Sequence, residues 1–197
     1  MEQPLQADLP ACSGCSRSRQ EIALEIERTH NLTLNMQVSS GQLLSNYVLL
    51  QGKPFGNPDF NPTIQPFPGL PLPALSMADW LGLTDSQRLQ QNTLAFSSLP
   101  VYLASVKRQQ MELNSPETEL HRQLESSHLH CLGLENNLKS IMSSLGIMPG
   151  PAISAKPSES DNAFIMKLTG YYICHLFRDW VNRCEKDMVL LAKKYPV

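Results

Sequence analysis

From residue 19 onward, apolar side chains return at alternating steps of four and three, the rhythm of one face of an α-helix. The first such stretch, residues 19–51, carries Ile22, Ile26, Thr29, Thr33, Met36, Leu43, Tyr47 and Leu50, with Ser40 filling the gap in the stripe. Gly52 stands where a C′ glycine would stop it. A second pattern, over 84–112, opens at Thr84, whose hydroxyl and the Gln87 side chain can satisfy each other's orphan amides as a capping box. It runs through Leu89, Phe96, Leu99, Tyr102 and Val106, and Pro100 removes one ladder bond, which predicts a kink.

Asn114 and Ser115 read as a minimal turn, with Ser115 as N-cap and Pro116 opening a third helix over 116–145. Its stripe is Leu120, Leu124, Cys131, Leu134, Leu138, Ile141 and Leu145, closed by Gly146. A fourth helix over 162–194, capped by Asp161, carries Met166, Gly170, Ile173, Phe177, Val181, Cys184, Met188 and Leu191. No convincing strand pattern emerges.

The connections decide the topology. A turn of a few residues makes the second and third helices antiparallel neighbours. The other two linkers are long: residues 52–73 alone hold seven prolines, and at about 3.3 Å per extended residue either linker can run the length of a helix. A proline-rich strap is stiff before folding and so lies along a bundle at low entropic cost. The expected fold is therefore all-α, a long-chain four-helix bundle with up-up-down-down topology and two long crossover loops.

Composition narrows the function. The 197 residues suffice for one well-buried core, so residues 18–197 read as one bundle domain behind a disordered tail, 1–17. With 16 basic and 18 acidic residues spread along the chain, no field gathers phosphates or acidic lipids, which argues against nucleic acid and membrane insertion. No apolar run reaches the roughly 20 residues of a bilayer span, and the start lacks the apolar segment of a secretory leader. The five cysteines, Cys12, Cys15, Cys131, Cys174 and Cys184, follow no disulfide ladder. Cys12 and Cys15 have C-x-x-C spacing but no second pair for a zinc site.

Two Glu-x-x-His pairs, Glu27/His30 and Glu125/His128, have the spacing that holds two metal ions in ferritin-like bundles. At about 100° per residue, however, both glutamates fall on the face opposite their own apolar stripe. No metal, cofactor or catalytic motif is expected, and His121, His128 and His130 read as exposed polar residues. Phe164 is the anomaly: it faces away from the fourth helix's stripe, with Lys167 one turn on. Packing under the adjacent linker is one account of that ring; an aromatic beside a long cation is also the makeup of a binding hot spot. Trp180 lies near the edge of its stripe and Trp80 just ahead of the second helix, so core packing and partner contact are both open for each.

Several segments resemble the cardiotrophins, in the ciliary neurotrophic factor branch of the interleukin-6 family of helical cytokines. "IERTHNL" and "YVLLQGKPFGNPDFNP" are similar to the first helix and the crossover after it, and residues 107–114 to the end of the second helix. "DWLGLTDSQRLQQN" resembles the start of the second helix in ciliary neurotrophic factor, and "FIMKLTGYYICHLFRDWVNRCEKDM" the family's Phe-x-x-Lys start and aromatic-Trp segment. The resemblance implies a secreted, non-enzymatic cytokine, released without a conventional signal peptide. It implies that Phe164 and Lys167 engage the leukaemia inhibitory factor receptor, and that the exposed faces of the first and third helices meet glycoprotein 130, the shared signal transducer. Trp80, Trp180 and Arg183 match positions that serve an accessory alpha receptor in ciliary neurotrophic factor; a requirement for such a receptor stays open. Cys12, Cys15 and the sequon Asn31-Leu32-Thr33 are not features of that family. An intracellular helical adaptor is the alternative that free thiols and a missing leader leave standing.

Overall fold

A computed structural model describes residues 17–197 except Ile64, Ala74, Leu75 and Ala152; the expected tail, with Cys12 and Cys15, lies outside them save for Arg17. Ser18 opens α1 (Arg19–Gln51) as half of a capping box with Glu21, and Gly52 ends it at φ 76°, a conformation that glycine adopts without strain. Polar members of the α1 stripe turn their hydroxyls back on the helix: Thr29 donates to Glu25 O, Thr33 to His30 O and Ser40 to Gln37 O. Thus no buried hydroxyl there is left without a partner.

A five-residue helix, α2 (Met77–Leu81), capped by Ser76, was not anticipated. It precedes α3 (Asp85–Leu113), which has the expected Thr84/Gln87 capping box and continues through Pro100. Two caps differ from expectation. Helix α4 (Thr118–Ser144) begins after Glu117 rather than at Ser115, because residues 114–116 complete the turn in which Glu117 N donates to Asn114 O. Helix α5 (Ala163–Lys194) is capped by Asn162, whose side chain accepts from Ile165 N, not by Asp161. Gly146, at φ 67°, closes α4 in a Schellman arrangement: Ile147 N donates to Met142 O and Gly146 N to Ser143 O.

Bonds between helix ends fix the directions. At one end of the bundle Gln51 of α1 meets Gln110 of α3, while Asn46 of α1 meets Gln123 at the start of α4 and Tyr47 meets Lys167 at the start of α5. At the other end Arg19 reaches Lys194 O, and Arg17 reaches Ser140 and Ser144. So α1 and α3 run one way, α4 and α5 the other: up-up-down-down. Each helix of one pair packs on both of the other, and their stripes, from Ile26 and Phe96 to Leu134 and Phe177, form one core.

The proline-rich crossover is tied down by the helices beneath it. Proline leaves carbonyls without neighbouring N–H donors, and side chains supply them: Tyr172 donates to Thr63 O (2.6 Å), Tyr102 to Pro68 O (2.6 Å), Ser98 to Gly69 O, and the Trp180 indole to Pro71 O (2.8 Å). Gly69, at φ 77°, passes under the second crossover so closely that a Cβ there would meet Ile153 O and Ala155 N at 3.0 Å. The two straps therefore interlock over α3.

Candidate functional site

The first turn of α5 projects Phe164 and Lys167 at the end of the bundle where α1 stops. Phe164 is 47% exposed. Its inner face rests on Phe55, which is buried, with ring centroids 5.7 Å apart. Phe55 in turn packs against Phe60 and Tyr171. The first crossover supports the ring from below, and its outer face is open. Ile165, beside it, is also exposed. An apolar cleft of about 550 Å³, lined by Val48, Leu49, Lys53 and Pro54, opens at the same end.

Lys167 is half-buried, and its Nζ donates to Gln51 O at 3.1 Å, one of the last carbonyls of α1. A cation there meets the partial negative charge of a helix C-terminus. Beneath it lies a buried polar cluster that periodicity alone could not reveal. Gln51 and Gln110 exchange reciprocal amide bonds (2.9 and 3.2 Å), and Tyr47 Oη donates to Lys167 O at 2.9 Å while accepting from Gln110 Nε2 at 3.3 Å. Burial pushes the Tyr47 hydroxyl well above its usual range, so it stays protonated and able to donate.

Trp80, Trp180 and Arg183 come together elsewhere, where α2 meets α3 and α5. The burial of Trp80 (2% exposed) and Trp180 (1%) does not fit direct contact with a partner. Their rings pack edge to face at 5.9 Å, and both indole N–H groups bond internally, Trp80 to Asp187 Oδ1 at 2.8 Å and Trp180 to Pro71 O. Only Arg183 keeps an outward position, its guanidinium 5.0 Å above the Trp80 ring. Asp187 is the centre of this cluster: it also accepts from Asn92 Nδ2 at 2.6 Å and faces Arg88 Nε at 3.4 Å. Burial pushes its carboxyl up to about 6 against the opposing pull of Trp80, Asn92, Arg88 and Arg183.

Among the described residues no group of three histidine, cysteine, aspartate or glutamate side chains is placed to hold a metal ion. Glu125 pairs with Lys107 and His30 with Glu185. Two histidines expected to be exposed are instead half-buried latches onto α3 carbonyls, His121 on Gln110 O and His128 on Pro100 O. Cys131, Cys174 and Cys184 are buried free thiols whose pKa values burial raises, which makes them inert at neutral pH. No described helix is long and apolar enough to cross a membrane.

The family model described as plethodontid receptivity factor matches residues 17–197. Cardiotrophin-1 of Rattus norvegicus is 37% identical over 175 residues, covering 85% of each chain, and cardiotrophin-1 of Homo sapiens 35% identical over 173 residues with the same coverage. Cardiotrophin-2 of Mus musculus is 32% identical over 173 residues, 86% of this chain and 84% of the relative.

Proposed function

Because the chain belongs to the plethodontid receptivity factor family and is a cardiotrophin-type helical cytokine, we propose that it is a secreted ligand that joins the leukaemia inhibitory factor receptor to glycoprotein 130. Joining the two chains activates the kinases on their cytoplasmic tails and so the phosphorylation of transcription factors. The observation that carries this reading is the half-exposed Phe164 ring at the tip of α5, with the Lys167 ammonium one turn away. An aromatic anchor held from below by Phe55 enters a receptor pocket without first being ordered, and burying its open face contributes on the order of 2 kcal/mol. The outward faces of α1 and α4 carry exposed Val38 and Leu129, apolar contacts for glycoprotein 130. Neither face needs extreme affinity, since a ligand held by one membrane receptor meets the second at high effective concentration. An accessory alpha receptor, where one joins, meets Arg183 rather than the two indoles packed behind it.

The test is the double substitution Phe164→Ala with Lys167→Ala. Binding to the receptor ectodomain is expected to vanish, while the helical circular-dichroism spectrum is unchanged and the variant stays folded, its stability lowered by about 2–3 kcal/mol for the lost inner face of the ring and one hydrogen bond. Cells carrying both receptors report the outcome through transcription-factor phosphorylation. Full activity of the double variant would refute the assignment of these residues, and an inactive wild-type protein would refute the receptor pair.

A further inference from the structure

Tyr47 sits fully buried on α1 against Gly170, and it is the one described side chain that bonds to both α3 and the first turn of α5. Its hydroxyl donates to Lys167 O and receives the Gln110 amide, which is itself paired with Gln51; Asn114 Nδ2 adds a bond to Gln110 Oε1 at 2.8 Å. Gln51 also lends its backbone carbonyl to Lys167 Nζ. Lys167 is thus held twice, by its own carbonyl from below and by its ammonium from the side. We propose that Tyr47, with the Gln51–Gln110 amide pair, is a positioning latch that fixes Lys167 and Phe164 in the geometry the receptor binds, an inference that rests on the receptor reading above.

The chemistry of the cluster favours positioning over plain stability. Aliphatic side chains fill a three-helix junction without the need to match every polar atom, whereas amides and a hydroxyl specify one register and one rotation. What this cluster registers is the first turn of α5 relative to the end of α1, and the groups mounted on that turn are Phe164 and Lys167. A lysine side chain ordered before binding spares the complex the loss of its rotamer freedom, worth roughly tenfold in affinity.

The experiment is Tyr47→Phe, which keeps the ring and removes the hydroxyl, measured by surface binding kinetics at a temperature where the variant stays folded. Dissociation from the leukaemia inhibitory factor receptor ectodomain is expected to be about tenfold faster at an unchanged association rate, with glycoprotein 130 binding unaltered. Backbone amides of residues 163–168 exchange hydrogen faster, and the effect of Tyr47→Phe shrinks when Lys167 is already alanine. Gln110→Met, which breaks the amide pair at similar volume, gives the same acceleration should Tyr47→Phe fail to fold. A purely structural tyrosine would lower the melting temperature and leave the dissociation rate alone, and that result overturns the latch. If Phe164→Ala/Lys167→Ala loses binding while the latch variants dissociate like wild type, the latch alone is wrong. If wild-type protein does not bind that receptor, the parent reading fails and the latch with it.

Discussion

Glycine to alanine inside a helix is ordinarily stabilising, by about 1 kcal/mol, yet Gly170→Ala is expected to destabilise this protein. Gly170 is the first buried position of the α5 stripe, and a Cβ built there falls 2.0 Å from Tyr47 Oη and 2.5 Å from its Cζ. The ring cannot swing away cheaply, because Tyr47 is completely buried and its hydroxyl is fixed between Lys167 O and Gln110 Nε2. Forcing an extra methyl into such a core costs about 1–3 kcal/mol, and displacing the hydroxyl leaves a buried Gln110 amide hydrogen short of a partner, at about 1–3 kcal/mol more, while Lys167 O keeps its helical donor. Set against the propensity gain, the net loss is about 3 kcal/mol, or roughly 10 °C in melting temperature for a chain of this length. Equilibrium urea unfolding followed by circular dichroism measures it directly. A variant as stable as wild type would show that the tyrosine has room to move, and the register argued for α1 against α5 would be wrong.

Asp187 gives a second test, in pH. Its folded-state carboxyl is raised from 3.8 to about 6, so the native state holds the proton more tightly than the unfolded chain. The associated stability is fully present below about 4 and lost as pH rises through about 6. From pH 7.5 to pH 5, wild type should gain about 1 kcal/mol relative to Asp187→Asn, read from urea midpoints at the two pH values; parallel pH profiles would refute the shift. Gly69→Ala combines a left-handed φ of 77° with a Cβ 3.0 Å from backbone atoms of the second crossover. It should cost about 2 kcal/mol and expose the amides of residues 153–156 to hydrogen exchange, whereas unchanged protection there would show that the straps do not interlock.

The lengths and directions of the four long helices were legible because each stripe is long and regular, and because a strap with seven prolines has little use in a bundle of short loops. Cap identities were less so. Ser115-Pro116 and Asp161 satisfy the local preferences for helix starts, but the hydrogen bonds of the turn at 114–117 and the side chain of Asn162 decide where α4 and α5 begin. Helix α2 was invisible for a different reason: five residues make little more than one turn, too few for a repeating stripe, and it is held by long-range bonds, chiefly from Trp80 to Asp187.

The same distinction separates what was readable at the two clusters of functional interest. Phe164 could be recognised from helical angle alone, because its anomaly is local: a ring on the wrong face of its own helix. Trp80 and Trp180 could not be placed that way, since their surroundings come from the crossover carbonyl of Pro71 and from Asp187, 107 residues beyond Trp80. A tryptophan that matches a family's contact position can support that surface from behind, and here Arg183 lies over the Trp80 ring. Tyr47 and Gln110 were harder still, for each lies on an ordinary helix and gains its meaning only from the three helix ends that meet there. The exposed ring is written in one helix, and the polar groups that bond beneath that end of α5 are written across several.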